Sequence, residues 1–301
     1  MILRTVALAK RYDTHQALRD VDLEVPEGSV FGLVGPNGAG KTTLLSIIAG
    51  LRRPSSGEVH LEVDRGDVAV CPDAPEFEPW LTAREVVRLA GSLSGRLPTD
   101  ARLDALLKEA GLGAAADRKV GGFSRGMTQR LGLATAVVGE PRLVVLDEPC
   151  AALDPAGRVE VLDLVARFGS RTTVLFSSHI LADVERVCDT VGVLAHGRLA
   201  YQGPLDTLLQ EHVRPTWRIR LRGPTAPLLV ALRATTWVRR AEEIAPATVE
   251  VEAANSRAGE AGLAAALAEA GVPIVAVEPV GADLETAFLD IIAASDASGG
   301  I

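Results

Sequence analysis

The stretch from Gly32 to Gly50, GLVGPNGAGKTTLLSIIAG, combines a glycine-rich loop with a lysine and two threonines. Within it, Gly35–Thr42 matches the pattern G-x-x-x-x-G-K-[ST], in which backbone N–H groups and a helix N-terminus surround phosphate groups. Lys41 would bring its positive charge to the β- and γ-phosphates, and the Thr42 hydroxyl would coordinate Mg²⁺. The stretch predicts a nucleotide-phosphate site, although many kinds of protein contain such a loop.

Two adjacent carboxylates form a second group of candidate residues, directly after the apolar run Leu143–Leu146. Asp147 would hold Mg²⁺ through water. Glu148 lies one residue further out and could polarise an attacking water molecule as a general base. Downstream of a phosphate loop, this pair predicts that the bound nucleotide is hydrolysed.

Strands and helices must bring these side chains together. Residues 29–35, SVFGLVG, are typical of a buried strand that enters the loop, and residues 42–51 predict the helix that leaves it. The runs RLVVLDEP and TTVLFSSH are short, rich in β-branched residues and end in polar residues, as central parallel strands do when their carboxyl ends form a site. Residues 2–28 predict an antiparallel pair of strands, and residues 81–116 predict helices.

Three further motifs follow the order typical of ATP-binding cassette (ABC) ATPases. Residues 123–131, FSRGMTQRL, resemble the family's LSGGQ signature motif, residues 152–155, ALDP, resemble its D-loop, and residues 177–179, SSH, resemble its H-switch. With the phosphate loop and the carboxylate pair, they make residues 1–210 similar to this family. The signature also resembles that of single-cassette ATPases of drug and antibiotic exporters, as does a closing segment, LETAFL, at residues 284–289.

The resemblance implies a role for each matched position. Tyr12 stands where the family stacks the adenine ring, and His179 where it contacts the γ-phosphate or orients the water. The remaining residues implied to bind ATP within one subunit are Asn37, Gly38, Ala39, Gly40, Lys41, Thr42 and Thr43. Those implied to contact the ATP of a second subunit are Ser124, Arg125, Gly126, Met127 and Asp154.

Asp73 is the main departure from the family pattern. It follows the run Val68–Pro72, where the family usually has glutamine. Its carboxylate could still face Mg²⁺ or the attacking water, so Asp73 is a candidate catalytic and metal-binding residue together with Thr42 and Asp147. It also adds a negative charge to the site, which would slow turnover or increase the dependence on Mg²⁺. Cys150 and Ala152 replace more common residues near the expected dimer contact.

The implied fold is an α/β P-loop ABC ATPase core with an antiparallel β-subdomain and a helical subdomain, over residues 1–212. Residues 213–301 have a different character, and their segments predict the order βαββαβ of a small ferredoxin-like α+β domain. A last helix is predicted at about Leu284–Ala294. We expect this C-terminal domain to be an accessory or regulatory domain.

The resemblance also implies cofactors and partners. ATP and Mg²⁺ would be bound, and two cassette subunits, identical or different, would form a head-to-tail dimer around two ATP molecules. The dimer would drive a separate transmembrane permease that docks around the Asp73 loop and the helical subdomain. This predicts the ATPase subunit of an exporter, bound to the cytoplasmic face of the cell membrane.

Composition limits the other classes of function. The formal charge is −8 and the pI is near 5.3, so no basic surface for nucleic acid is indicated. The apolar runs are shorter than the ~20 residues that span a bilayer, and no signal peptide is predicted. The cysteines Cys71, Cys150 and Cys188 are widely spaced, which predicts reduced thiols.

Two alternatives to an exporter ATPase stay open. One is a regulatory cassette subunit that uses ATP to dimerise but hydrolyses it weakly, as Asp73 would allow. The other is a non-transport cassette protein that acts on ribosomes or DNA. Such proteins usually have tandem cassettes or a long insertion between the phosphate loop and the signature motif. In this sequence only 83 positions separate Lys41 from Ser124, which leaves no room for a long insertion.

Overall fold

The computed structural model describes residues 1–151, 153–212, 215–254, 256–280 and 284–299. The chain divides into two compact units. The first comprises Met1–Leu205 and the segment from Ile291 onward, and the second comprises Asp206–Asp290. The predicted domain boundary between residues 212 and 213 falls at the edge of a gap in the described ranges, and it stays a prediction.

Strands and helices follow one another along both units. The strands are β1 (Leu3–Tyr12), β2 (His15–Val21), β3 (Glu24–Val25), β4 (Val30–Val34), β5 (Ser56–Leu61), β6 (Val68–Cys71), β7 (Leu143–Leu146), β8 (Thr173–Ser178), β9 (Thr190–Ala195), β10 (Arg198–Pro204), β11 (Thr216–Leu221), β12 (Val238–Ala245), β13 (Thr248–Ala253) and β14 (Ile274–Val280). The α-helices are α1 (Lys41–Ile48), α2 (Ala83–Leu93), α3 (Asp100–Glu109), α4 (Arg125–Val137), α5 (Pro155–Gly169), α6 (Leu181–Val187), α7 (Leu205–His212), α8 (Ala226–Arg233), α9 (Ser256–Ala270) and α10 (Leu284–Gly299).

A six-stranded sheet forms the centre of the first unit, in the order β10-β9-β4-β8-β7-β6. Strands β9, β4, β8, β7 and β6 are parallel, and only β10 is antiparallel to its neighbour. Every residue of β4, β7 and β8 is buried, as expected for apolar, β-branched runs covered on both faces. The prediction of central parallel strands is confirmed, and the polar residues that follow β4, β7 and β8 therefore meet at one edge of the sheet.

A smaller antiparallel sheet contains β2, β1 and β3, with β5 paired to β1. The predicted pair of β1 and β2 is confirmed, and its register places Tyr12 opposite His15 at the tight turn. Side chains of this sheet and of β4 and α1 form one apolar core, in which Leu3, Phe31 and Ile48 are buried. The sheet is thereby fixed beside the phosphate loop.

Helices α2, α3 and α4 form a helical segment between β6 and β7, and α2 packs against α4. Helix α2 begins at a capping box: the Thr82 hydroxyl accepts a hydrogen bond from the Glu85 amide, and the Glu85 carboxylate accepts one from the Thr82 amide. The prediction of helices between residues 81 and 116 is confirmed. Among the residues that the structure describes, no helix combines the length and apolarity needed to cross a bilayer.

The second unit contains a four-stranded antiparallel sheet in the order β12-β13-β11-β14. Its elements follow the order β11, α8, β12, β13, α9 and β14, as the segments predicted. Ile219, Val249 and Val251 are buried against Leu228 and Leu232 of α8 in a separate apolar core. The last helix, α10, extends beyond its predicted end at Ala294.

Candidate functional site

The phosphate loop connects β4 to α1, and two of its glycines are required by their surroundings. Gly40, the N-cap of α1, has φ 105°, and a Cβ added there would lie 2.5 Å from the Ala17 carbonyl oxygen. A Cβ on Gly35 would lie 2.3 Å from the Leu194 carbonyl oxygen. Only glycine fits at either position. Gly40 is the N-cap residue of α1 and has no side chain, so it cannot accept hydrogen bonds from the N–H groups in the first turn of that helix.

Lys41 is a nearly buried cation, with 6% of its side chain exposed. Its ammonium group donates to the Gly35 carbonyl oxygen at 2.7 Å and lies 3.3 Å from Glu148 Oε1. Burying an ammonium group is costly unless oxygen atoms surround it. The loop therefore holds a positive charge at its centre, where the sequence pattern places phosphate.

Asp147 and Glu148 follow β7 and are held by the neighbouring strand β8. The fully buried Ser177 hydroxyl donates to Asp147 Oδ1 at 2.7 Å, and the Glu148 amide donates to the same hydroxyl at 2.9 Å. Glu148 has φ 46°, a left-handed conformation that costs a non-glycine residue about 1–2 kcal/mol. The bond to Ser177 offsets this cost, so a single serine holds both the Asp147 carboxylate and the Glu148 backbone.

Glu148 connects two other candidate residues. While Oε1 faces Lys41, Oε2 lies 2.8 Å from His179 Nδ1. His179 follows β8 and has 44% of its side chain exposed, whereas Glu148 has 18%. A histidine with this exposure is accessible to a ligand, and its contact with a carboxylate fixes the orientation of the ring. Lys41, Glu148 and His179 therefore form one continuous polar chain.

A cleft of about 420 Å³ lies over these groups, which is large enough for a small ligand. Its lining residues are Tyr12, His15, Ala17, Asn37, Gly38, Ala39, Gly40, Lys41, Thr42, Thr43, Asp73, Glu148, Ala151 and His179. The predicted single-subunit ATP-binding residues thus lie around one cavity, together with Glu148, His179 and Asp73. His15, Ala17 and Ala151 were not predicted, because they join the cavity through the strand pairing and the turn after β7.

Two basic side chains lie near the ring of Tyr12. The Lys10 ammonium group is 5.1 Å from the centre of its ring and the Arg52 guanidinium carbon is 5.7 Å from it, both within range of a cation–π contact. Arg52 also donates to the Tyr12 hydroxyl at 3.3 Å. Sequence reasoning missed both cations, although Arg52 follows the predicted end of α1 by only a few residues.

The signature residues lie at another helix start. Ser124 is the N-cap of α4, and its hydroxyl accepts a hydrogen bond from the Met127 amide at 3.3 Å. Ser124 and Arg125 are exposed, Gly126 is half-buried, and none of the predicted residues 124–127 is among those that line the cleft of this chain.

The D-loop residue Asp154 is likewise an exposed N-cap outside that lining, bound to the Gly157 amide at 3.1 Å on α5. Ala152 lies outside the described residues. The signature and the D-loop thus each present a capped helix start at the surface.

The oxygen donors proposed for Mg²⁺ suit that ion. Thr42 and Asp73 line the cleft with a hydroxyl and a carboxylate, whereas Asp147 is absent from that lining and accepts from Ser177. Within the described ranges, no group of three or more His, Cys, Asp or Glu residues could hold a metal ion alone. Mg²⁺ usually has few protein ligands and completes its shell with water and phosphate oxygens. The residues present therefore fit Mg²⁺ bound with a nucleotide.

The thiols near the site are unreactive. Burial raises the pKa of Cys71 and of Cys150 to about 12 each. Cys150 also lies near the negative charge of Asp183, which raises its pKa further. Because the thiolate is the reactive form, neither cysteine is suited to act as a nucleophile.

The comparisons with known proteins agree with this geometry. The family model described as ABC transporter matches residues 18–151. The chain is 42% identical over 216 residues to the uncharacterized ABC transporter ATP-binding protein YxlF of Bacillus subtilis (strain 168), covering 70% of this chain and 73% of that relative. It is 34% identical over 219 residues to the bacitracin transport ATP-binding protein BcrA of Bacillus licheniformis, covering 69% of this chain and 71% of BcrA.

A solved structure gives the same result for the fold. It is the dimeric post-hydrolysis state of the ATP-binding cassette MJ0796 bound to ADP and Pi, with 26% identity and a TM-score of 0.61, covering 68% of this chain and 99% of that one. The chain therefore belongs to the ATP-binding proteins of ABC transporters, a family of ATPases. The predicted ABC cassette fold is confirmed.

Proposed function

We propose that this chain is the ATP-hydrolysing subunit of an ABC exporter and that it drives a separate membrane permease. The observation that carries the proposal is the polar chain of Lys41, Glu148 and His179 at the centre of the phosphate-loop cleft. It combines a buried cation for phosphate, a carboxylate for the attacking water and a histidine that orients that carboxylate. Export is supported by the similarity to the bacitracin transport protein BcrA.

Each side chain has a defined part in the proposed reaction. Lys41 binds the β- and γ-phosphates of ATP, and Tyr12 stacks on the adenine ring. Thr42, Asp73 and, through water, Asp147 would hold Mg²⁺, which would supply positive charge to the phosphates. Glu148 accepts a proton from the attacking water, and His179 contacts the γ-phosphate and holds Glu148 in place.

Dimerisation would complete the site. In the proposed head-to-tail dimer, Ser124, Arg125, Gly126 and Met127 contact the ATP held by the Lys41 of a second cassette subunit, and Asp154 lies at the contact between the subunits. The exposure of Ser124, Arg125 and Asp154 supports this, as does the dimeric state described for the MJ0796 cassette. The second subunit is either an identical or a different chain.

The permease would dock beside the Asp73 loop, on the cytoplasmic face of the membrane. Large apolar side chains are exposed there: Trp80 precedes α2 and is 63% exposed, and Leu89 and Leu93 lie one turn apart on α2. Exposed apolar groups of this size are typical of protein contacts. The formal charge of the chain is −8, which does not favour nucleic acid, so a permease is the preferred partner.

The C-terminal domain, residues 213–301, is proposed to be a ferredoxin-like accessory or regulatory domain. Strand order β12-β13-β11-β14 and the connection of these strands through α8 and α9 support that topology. The domain has its own apolar core around Ile219 and Leu232, which is consistent with independent folding.

A weakly hydrolysing regulatory subunit is the second candidate function. It is favoured by one observation: the exposed carboxylate of Asp73 lines the same cleft as Glu148. Two negative charges near one water molecule and one γ-phosphate would oppose the transition state. In that case the chain binds ATP and dimerises but releases phosphate slowly.

Phosphate release by the purified full chain, with and without the permease that co-purifies with it, tests both functions. Glu148→Gln is expected to lower the rate by about 10²- to 10⁴-fold while ATP binding persists, because the amide keeps the size of the side chain but cannot accept the proton. Glu62→Gln, an exposed carboxylate directly after β5, is the matched control. An unchanged rate in Glu148→Gln would show that Glu148 is not the base.

Asp73→Gln separates the two candidates. If Asp73 slows the reaction, this substitution raises the rate of phosphate release several-fold in the wild-type background and has no effect in Glu148→Gln. A lower rate would instead show that Asp73 takes part in hydrolysis as a ligand or a catalytic residue.

A further inference from the structure

A buried ion pair joins helix α5 to helix α6 behind the candidate site. Arg158 Nε on α5 donates to Asp183 Oδ1 on α6 at 2.5 Å. The Asp183 side chain is 2% exposed and that of Arg158 is 29% exposed. Burying a carboxylate to this extent costs free energy, and in this contact the Arg158 guanidinium group offsets part of that cost.

Each member of the pair lies four residues after a predicted site residue. Arg158 is four residues after Asp154, and its amide donates to the Asp154 carbonyl oxygen in the first turn of α5. Asp183 is four residues after His179 and lies in the first turn of α6. The pair therefore connects the start of the D-loop helix to the segment that carries His179.

The surroundings of the buried Asp183 carboxylate do not favour the stability of the folded chain. Its Oδ2 atom is buried and accepts no hydrogen bond within the described part of the chain. Burial raises the pKa of Asp183, Glu148 raises it further, and Arg158 and His179 oppose the shift. A buried pair with an unsatisfied oxygen is commonly no more stable than two apolar side chains of similar size.

A second ion pair joins the same two helices and provides a comparison. Arg186 on α6 lies 2.9 Å from Asp163 on α5, and both side chains are about half exposed. This pair is farther along both helices, about nine residues after Asp154 and about seven after His179, and both side chains are solvated. It stabilises the helix contact without reaching the site, so the two pairs can be tested against each other.

We infer that Arg158 and Asp183 are positioning residues for hydrolysis. They keep His179, and through it Glu148, in a fixed position relative to the D-loop. A second subunit that contacts Asp154 would then act on His179 through α5, the ion pair and α6. Neither Arg158 nor Asp183 is among the residues that line the cleft. The inference rests on the proposed function, because it assigns a role in the same reaction.

Asp183→Asn tests this role with little change in shape. We expect kcat for ATP to fall about tenfold to a hundredfold, because a small displacement of catalytic groups has an effect of that size. KM for ATP should stay within about twofold, since Lys41, Thr42 and Tyr12 are untouched. Asp163→Asn is the matched control and should leave kcat unchanged. A parallel rise in KM, or an equal loss in Asp163→Asn, would contradict a positioning role.

A double variant separates positioning from stability. Arg158→Met with Asp183→Leu replaces the pair by apolar groups, and we expect thermal unfolding near that of the wild type. We also expect kcat to stay as low as in Asp183→Asn. If kcat recovers together with the unfolding temperature, the pair is only structural and the inference is wrong. Asp183→Glu, which retains the charge, should recover more activity than Asp183→Asn.

A measurement without turnover distinguishes failure of this inference from failure of the proposed function. In ¹⁵N spectra of the full chain with labelled histidine, the His179 Nδ1 resonance should shift in Asp183→Asn, because the ring leaves its bond with Glu148. The His60 resonance, from an exposed histidine beside Glu58, should not shift. An unchanged His179 resonance overturns the inference. If it shifts but the wild type shows no Glu148-dependent phosphate release, the proposed function fails and the positioning contact stands.

Discussion

Two helix starts in the first unit, those of α1 and α4, are built in opposite ways. Helix α1 begins at Gly40, which offers no capping side chain, and its first residue, Lys41, is buried beneath the cleft. Helix α4 begins at Ser124, which is exposed and already accepts a hydrogen bond from the Met127 amide. Both starts present N–H groups and a partial positive charge, but only the first is enclosed by its own chain.

The difference is consistent with the proposed division of each phosphate site between two subunits. At α1 the chain leaves the donors uncapped and places a full positive charge beside them, so affinity for phosphate is built in. At α4 the Ser124 hydroxyl stabilises the helix, the first residue, Arg125, is exposed, and none of residues 124–127 lines the cleft. The first start should bind ATP in a single chain, and the second should act only when another subunit brings a phosphate to it.

The largest expected effect is at the first helix start. Lys41→Ala should weaken ATP binding by roughly 10- to 100-fold, because charge-assisted hydrogen bonds contribute about 1.5–3 kcal/mol. Isothermal titration of the full chain with Mg²⁺ and ATP measures it, with Lys119→Ala, an exposed lysine before the signature motif, as the control. If Lys41→Ala binds ATP as tightly as the wild type, the start of α1 does not bind phosphate through Lys41.

At the start of α4, a substitution should affect dimerisation and phosphate release, and not ATP binding by a single chain. Ser124→Asp keeps a good N-cap for α4 but adds a negative charge, which would repel the phosphate of a partner's ATP. We expect phosphate release and ATP-dependent dimerisation to fall about tenfold, with ATP affinity of the monomer and thermal stability unchanged. Analytical ultracentrifugation and phosphate assays measure the two effects. Loss of monomer affinity would place Ser124 in the site of its own chain instead.

A smaller effect is expected at the edge of the first site. Tyr12→Ala should weaken ATP binding by about 1 kcal/mol, the lower end of the range for base stacking, because Lys10 and Arg52 already contact the ring. Tyr12→Phe keeps the ring and should bind ATP nearly as well as the wild type. Equal losses in both variants would show that the hydroxyl bonded to Arg52, and not the ring face, matters for binding.

The smallest effect concerns a third helix start, α2, which has a complete capping box. Hydrogen bonds from the Thr82 amide and hydroxyl lower the pKa of Glu85, so its folded value is below its unfolded value of about 4.3. Its contribution to stability is therefore present above that pH and is lost as the pH falls through the lowered folded value. Urea unfolding should show Glu85→Gln slightly less stable than the wild type at pH 7 and indistinguishable from it near pH 2. A difference that persists in acid would contradict the linkage.

Local patterns predicted much of the first unit and of the candidate site. The phosphate loop, the apolar runs of β7 and β8 and the serine before α4 each have a sequence signal within a few residues. Strands β9 and β10 were not predicted, although they complete the central sheet. Their run, TVGVLAHGRLAYQGP, contains glycines and none of the motif residues, so its place in the sheet follows from tertiary pairing.

The contacts that position the site were harder to predict than its members. Ser177 was recognised only as part of a motif, and its bonds to both Asp147 and Glu148 depend on the register between β7 and β8. The left-handed conformation of Glu148 has no signal in the residue type. The pairing of Arg158 with Asp183 joins two helices that no periodicity relates, and it becomes visible only when both pack on the same sheet.

The burial of the native cysteines has a practical consequence for studying this protein. The thiols of Cys71 and Cys150 are buried, with pKa values raised to about 12, and desolvation also raises the pKa of the partly exposed Cys188. At neutral pH, maleimide reagents should therefore react far faster with a cysteine introduced at an exposed position. Pairs of fluorophores or cross-linkers could be attached at the two helix starts without first removing the native cysteines. The approach of two subunits could then be followed in real time in an otherwise unaltered chain.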